Sequence, residues 1–332
     1  MAGVAPIVLG AAGAFAFAIA MLPAAAAAPS GGRIHGRVFD RTAPSHAVAD
    51  QTVRLTIVER GASSDQETTS SPSGTFEFTG LPVGGIRVFL LSTQYRGVRY
   101  TSDRIVLVPQ APDRAVELPV YELSSSPQAV RGTLALAVVD VAKGAVRVSV
   151  VQGFLNPTER TVAFSAEDPM VFPLPGEAEH VQTLAGWRDP RAGNGRITDT
   201  FPLLPGDTQV AYAYELKTSG SRLRLPWRLP YGASDLQVLV PEAGVSLAAE
   251  GLRAGGTVTG PRARYARWSG RSVPPGAEVV MDFGGLPAGR DPWPVAVAAG
   301  LATALFGCLA LTLRRSRRGP ASPPPHAWEG RP

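Results

Sequence analysis

Ser73-Gly74-Thr75-Phe76-Glu77-Phe78, followed by Leu81-Pro82-Val83-Gly84-Gly85, decides the fold class of this chain. Polar and apolar residues alternate, so Phe76 and Phe78 share one face of a strand. Pro and Gly then set the dihedrals of a turn. The same two-residue period runs outward. Arg33-Ile34-His35-Gly36-Arg37-Val38-Phe39 and Gln51-Thr52-Val53-Arg54-Leu55-Thr56-Ile57-Val58 both read as half-buried strands. A polar stretch at 61–72, rich in Ser, Thr, Asp and Glu, reads as a loop. Further strands are expected at 87–92, 95–101, 104–108 and 115–121. About seven short strands in roughly ninety residues have the size and rhythm of a β-sandwich.

Gly36-x-Val38, Val53-x-Leu55, Ser73-Gly74-x-Phe76-x-Phe78 and Leu81-Pro82-x-Gly84 together resemble the carboxypeptidase regulatory-like domain. That family is a transthyretin-like sandwich, and the resemblance covers residues 33–123. It implies an accessory module without catalysis, appended to peptidases and common in bacterial surface and envelope proteins.

Residues 124–130, polar and small with a Pro, are expected to link this domain to a second β-rich region at 131–288. A hairpin is expected around Ala142-Lys143-Gly144. More strands are expected at 161–164, 208–216, 222–229, 236–240, 256–258, 263–269 and 278–283, with Pro-Gly turns between them. No amphipathic helix is legible. The region reads as one enlarged sandwich or two joined ones. Phe172-Pro173-Leu174-Pro175-Gly176, Leu203-Leu204-Pro205-Gly206-Asp207 and Leu236-Gln237-Val238-Leu239-Val240-Pro241 resemble a poorly characterised group of bacterial membrane proteins. In that group a regulatory-like sandwich precedes a second β domain and a C-terminal anchor. The resemblance implies a neighbourhood of cytochrome c maturation genes for some members.

The chain ends differ from this middle. Residues 295–313 carry no charge and are long enough, as a helix, to cross a hydrocarbon core of roughly 30 Å. Arg314, Arg315, Arg317 and Arg318 follow and place the 314–332 tail in the cytoplasm, where its prolines keep it disordered. Trp293 sits where interfacial aromatics anchor a span. Residues 1–28 read as a signal peptide cleaved between Ala26 and Pro29. The first residues lack Lys and Arg, so an uncleaved anchor is the alternative. The expected class is therefore all-β: two tandem β-sandwich domains, Ig- or transthyretin-like, exported and held by one C-terminal transmembrane helix.

The charge of +5 over 332 residues fits this topology. The 314–332 tail has five Arg and one Glu, leaving the exported part near neutral and arguing against a nucleic-acid partner. Lys143 and Lys217 are the only lysines. Cys308 is the only cysteine and falls in the expected span, so the exported domains contain no disulfide.

Catalytic chemistry finds few candidates. His35, His46, His180 and His326 stand at no metal-ligand spacing from one another, and there is no HExxH and no Cys pair. No metal or cofactor is expected. Asp65 and Glu67 could offer oxygens to calcium, but a solvated loop is the simpler reading. There is no GxSxG elbow. A Lys–Asn isopeptide could involve only Lys143 or Lys217 with Asn156. The most suggestive surface is Arg262, Arg264, Tyr265, Arg267, Trp268 and Arg271, joined by Arg222 and Arg224 if their strands are neighbours. Arg beside aromatic rings suits glycans, phosphates or anionic headgroups. The competing reading is a solvated strand face whose Arg stems cover apolar surface. The sequence therefore points to a non-enzymatic, membrane-anchored envelope binding or scaffold protein with a protein or glycan partner. The alternatives are an accessory subunit of a membrane machine, for cytochrome c maturation or transport, and an unrecognised hydrolase.

Overall fold

The chain is described by a computed structural model over residues 31–287, apart from residues 43, 125, 243, 261 and 262. The expected leader, span and tail, and with them Trp293, Arg314, Arg315, Arg317 and Arg318, lie outside the described residues, as does Arg262. Among the described residues no helix is long and apolar enough to cross a membrane. The described chain is predominantly strand.

Eight strands form the first β unit: β1 (Gly32–Asp40), β2 (His46–Ala47), β3 (Thr52–Glu59), β4 (Ala62–Thr69), β5 (Thr75–Leu81), β6 (Arg87–Tyr95), β7 (Val98–Thr101) and β8 (Asp113–Val120). In one sheet, β1 has parallel β8 on one side and antiparallel β5 and β2 on the other. The second sheet runs β4-β3-β6-β7. Alternation sends Ile34, Val38, Val53, Leu55, Phe76, Phe78, Phe89 and Leu91 into the shared core, each at most 5% exposed. Burial of such side chains contributes about 1.5–3 kcal/mol each.

Two sequence expectations change here. The stretch expected to be a loop at 61–72 contains β4, paired with β3 along its whole length. Its residues are exposed on both faces, so no apolar alternation marks it. Residues 104–108 form isolated bridges, with Ile105 opposite Phe89, and not a regular strand.

The second unit follows with β9 (Leu123–Ser124), β10 (Arg131–Ala142), β11 (Ala145–Asn156), β12 (Thr161–Val162), β13 (Met170–Pro173), β14 (Glu179–Ala185), β15 (Arg191–Gly193) and β16 (Arg196–Asp199). It continues with β17 (Gly206–Lys217), β18 (Arg222–Leu229), β19 (Ala233–Pro241), β20 (Ser246–Ala249), β21 (Arg253–Thr259), β22 (Arg264–Val273) and β23 (Ala277–Gly284). A seven-stranded sheet, β14-β17-β11-β10-β19-β22-β21, is its backbone. Two three-stranded sheets, β18-β23-β20 and β13-β16-β15, pack their apolar residues against one face of it. Val148, Val150, Tyr212 and Val238 from the large sheet meet Leu225, Trp227, Met281 and Phe172 in one continuous cluster. Phe172 contacts Trp187 edge-on at 4.9 Å, and Phe154 meets Tyr231 at 5.4 Å, geometries that aromatic quadrupoles favour.

The registers order the molecule along one axis. Asn156 and Arg131 lie at one end of the large sheet, Ala142 and Ala145 at the other. The first unit docks at the Asn156 end. There β9 pairs parallel with β12, Thr161 N donates to Glu122 O, and Thr42 Oγ1 donates to Glu159 O. The expected linker is thus tied down, with a 3-10 turn at Pro127–Ala129. The chain leaves from the other end, where Gly144 N donates to Pro287 O at 3.3 Å. A twelve-residue strand, β11, separates the two ends, a span of about 40 Å at roughly 3.3 Å per residue.

Candidate binding surfaces

Strand β22 carries most of the basic and aromatic cluster, and its alternation divides that cluster between two faces. Trp268 pairs with Val238 and packs against the main core. Tyr265, Arg267 and Arg271 point to the opposite face of the large sheet. Tyr265 is 2% exposed, and its hydroxyl donates to Asp140 Oδ1 at 2.6 Å. Arg267 donates from Nε and Nη2 to Gly255 O. Arg264 lies 3.3 Å from the Glu242 carboxylate, and Arg271 is exposed. Arg222 and Arg224 do not join them. Their strand, β18, pairs with β23 in a different sheet, where Arg224 meets Asp282 at 3.3 Å. The sequence could not show this, because strand adjacency is set by long-range pairing.

The face that receives Tyr265 holds a polar row that no local motif announced. Tyr265 bonds Asp140; Arg147, opposite Asp140 on β11, donates to Glu215 at 3.0 Å and to Gln182 at 2.9 Å. His180 Nδ1 lies 2.9 Å from the other Glu215 oxygen. At the edge, Lys217 meets Glu179 at 2.6 Å, and its ammonium holds that exposed carboxyl below the usual range. The Arg147 side chain is only 5% exposed, and its Nε has no partner among the described residues. Beside the row runs an apolar strip of Leu136, Val138, Val151, Ala211 and Leu239. Each cation of the row faces a carboxylate, which suits holding strands in register more than capturing a free ion.

The other expected chemistry is placed as follows. Asp65 accepts from Thr56, and Glu67 accepts from Arg54, so both carboxylates are engaged across strands. His35 Nδ1 is 2.9 Å from Asp113, and His46 Nδ1 is 3.4 Å from Pro44 O. These histidines and His180 stand on β1, β2 and β14, and among the described residues none has a serine hydroxyl as a hydrogen-bond partner. Among the described residues no group of three His, Cys, Asp or Glu side chains is placed to hold a metal ion. Asn156 is buried, with its amide donating to Arg160 O and Leu203 O. Lys217 pairs with Ala145 at the opposite end of β11 from Asn156. Lys143 sits in the turn beside Ala145, so neither lysine reaches that amide for an isopeptide bond.

No family model matches the chain, and no curated protein matches it. Among solved structures, the M1 zinc metallopeptidase of Deinococcus radiodurans is similar over 47% of this chain and 42% of its own, at 14% identity and a TM-score of 0.32. The chain thus spans about two fifths of the metallopeptidase it matches. The full-length major pilin SpaD of Corynebacterium diphtheriae is similar over 73% of this chain and 81% of its own, at 11% identity and a TM-score of 0.24. Likenesses this slight carry neither a fold assignment nor a function.

Proposed function

We propose that this chain is a non-catalytic, membrane-anchored envelope protein that binds or scaffolds through its β units. One observation carries the reading: the chain leaves the second unit at the end opposite the docked first unit. If residues 295–313 cross the bilayer, with Trp293 at the interface and Arg314, Arg315, Arg317 and Arg318 inside, the first unit stands away from the membrane. The junction supports this, because one buried and one part-buried hydrogen bond, not a free linker, join the units. Loops and sheet edges of the first unit are then what a partner meets.

The first unit is, in this reading, a carboxypeptidase regulatory-like module. Support comes from its core, which takes Val38, Val53, Leu55, Phe76 and Phe78 from the resembling motifs. Gly74 adds a turn at φ +77° that favours glycine. The Arg264–Arg271 strand remains a proposed contact for glycans or headgroups, now confined to Arg271 and the exposed stem of Arg267.

Truncation tests the topology. The full chain should sediment with membranes and resist alkaline extraction, with residues 31–287 open to protease added outside spheroplasts. A chain ending at Pro287 should be released into the soluble exported fraction. Membrane retention of that truncated chain, or protection of 31–287 from outside protease, would overturn the reading.

A further inference from the structure

Strand β4 ends its sheet, and its backbone has a free side. In an antiparallel sheet the N–H and C=O of one residue point the same way, and that direction alternates along the strand. Phe89 exchanges both of its backbone hydrogen bonds with Ile105, and Leu91 O accepts from Ser102 N, so these residues face the β7 side. Leu90 and Ser92 therefore bond β3, at Thr56 and Arg54. Leu55 and Ile57 turn the other way and bond β4, at Gln66 and Ser64. Ser63, Asp65, Glu67 and Thr69 are left with N–H and C=O groups that point out of the sheet, and none of the described residues bonds them there. Seven of the eight residues of β4 are exposed, so nothing covers either face of the strand. The other sheet edges among the described residues are blunted in the ways that prevent strand addition. β2, β7, β9, β12, β13, β15 and β20 have four residues or fewer. β8 and β18 contain Pro119 and Pro226. β5, β14 and β21 have irregular registers with their neighbours. β4 has an unbroken register, no Pro and no Gly.

A row of unpaired donors and acceptors along a straight strand is complementary to another extended backbone, which repeats the same spacing. We infer that the β4 edge takes up an extended segment of a partner polypeptide as a fifth strand of the β4-β3-β6-β7 sheet. Strand addition rests on the binding role proposed above and specifies its edge. Charge selects the segment. The outer face of β4 sets Asp65 and Glu67 against the single Arg54, which lies 2.7 Å from Glu67 and 4.0 Å from Asp65. Thr56 Oγ1 donates to Asp65 at 2.7 Å. One carboxylate is in excess. A Lys or Arg on the added strand opposite Asp65 or Glu67 shares their face, and opposite charges directly across a sheet stabilise the pair. On the other face Ser64, Gln66 and Thr68 are polar, so the segment needs no apolar side. The partner segment is therefore free of proline and alternates basic residues with Thr or Ser. A second copy of this chain fits poorly. Two β4 strands meeting about a two-fold axis at fullest overlap set Asp65 against Asp65 or Glu67 of the other copy, and like charges there repel. The same acids reject an acidic segment. Backbone hydrogen bonds contribute little net each in water, so a free segment binds weakly, and binding gains where both partners share a membrane plane.

Titration of a short synthetic peptide of alternating Lys and Thr against the full chain in detergent tests this, read by fluorescence anisotropy and by amide hydrogen exchange of β4. The peptide N-methylated at each Lys keeps its charge and loses the donors that would face Asp65 and Glu67. A third peptide carries Glu in place of Lys. The parent peptide should bind in the micromolar to millimolar range and slow exchange over residues 63–69. The N-methylated and Glu peptides should bind roughly tenfold more weakly or worse. Asp65→Pro removes one outward N–H and no bond to β3, so the circular dichroism of the sheets should persist while affinity for the parent peptide falls roughly tenfold. Asp65→Lys with Glu67→Lys leaves the backbone untouched and should reverse the preference toward the Glu peptide. Absence of parent-peptide binding at millimolar concentration, or equal binding after N-methylation, overturns the proposal. Protection of β4 that grows with the concentration of the chain alone assigns the edge to a second copy and also overturns it. Membrane sedimentation of the same chain is read separately: a chain that binds the peptide without sedimenting rejects the anchor alone, and one that sediments without binding the peptide rejects the fifth strand alone.

Discussion

Tyr100 of the first unit and Thr161 of the second place their hydroxyl oxygens 2.9 Å apart, both buried, and this contact couples the two β units. The Tyr100 hydroxyl also donates to Tyr121 O at 2.9 Å, which leaves the Thr161 hydroxyl to donate to Tyr100. Around them Tyr95 donates to Glu122 at 2.7 Å, and Thr42 Oγ1 accepts from Glu122 N. Removing the hydroxyl in Tyr100→Phe strands the Tyr121 carbonyl and the Thr161 hydroxyl. A buried polar group left unpaired costs about 1–3 kcal/mol. Urea unfolding of Tyr100→Phe should show that loss. A double-mutant cycle with Thr161→Val should return a coupling of about 0.5 kcal/mol or more, and strict additivity would refute the coupling.

Gly36 explains why the opening-strand motif needs glycine. A Cβ at this position would stand 1.9 Å from Val116 O on the parallel neighbour β8 and 2.9 Å from the Phe76 ring. Backbone cannot yield as a side-chain tip can, so Gly36→Ala must part β1 from β8. A loss of about 3 kcal/mol or more is expected, of the size of severe overpacking. Gly61→Ala is the control: a Cβ there meets nothing, although its φ of +87° adds a smaller strain. Thermal melts that rank the two variants equally would refute the steric account.

These positions also show what the sequence could reveal. Phe76, Phe78, Val53 and Leu55 announced the first core, because alternation is a local signal and their burial follows it. The hairpin at Lys143–Gly144 was legible for the same reason: two apolar runs flank a glycine turn. Strand β4 was not, since both of its faces meet water and composition then resembles a loop. Neither was the polar row. Arg147, Glu215 and Tyr265 are brought together only by strand order, across β11, β17, β10 and β22. The basic cluster is divided in the opposite sense. Its residues are adjacent in sequence, and in a strand adjacency means opposite faces.

Breaking the Arg147–Glu215 pair should cost more than replacing both partners. The guanidinium is 5% exposed and the carboxylate 18%, so each depends on the other for charge compensation. Glu215→Ala leaves a buried cation with Gln182 as its one remaining hydrogen-bond partner among the described residues, and breaking such a pair costs about 3–5 kcal/mol. Replacing both with Arg147→Met and Glu215→Leu should restore most of that stability, because the double variant no longer buries charge. Chemical denaturation of the single and double variants checks this. A double variant as unstable as Glu215→Ala would show that the pair contributes more than mutual neutralisation.

Alkaline pH should find the tyrosines next. Burial pushes the Tyr95 phenol up to about 12, with the hydrogen bond to Glu122 adding to the shift. Burial also raises Tyr100, Tyr212, Tyr214 and Tyr231 above their ordinary value. In each the folded chain holds its proton more tightly than the unfolded chain, whose phenols titrate near 10. The stability tied to these protons is therefore complete below about pH 10 and is lost as pH rises through the folded values. Phenolate absorbance should lag behind that of free tyrosine between pH 10 and 12, then appear together with loss of the β-sheet circular dichroism signal. Tyr95→Phe should remove part of the lag without touching the buried pair Tyr212 and Tyr214, whose rings stack at 6.4 Å in the second core. Phenolate that forms near pH 10 while the sheet signal persists would show that these hydroxyls are open to water, and the packing described around them would be wrong.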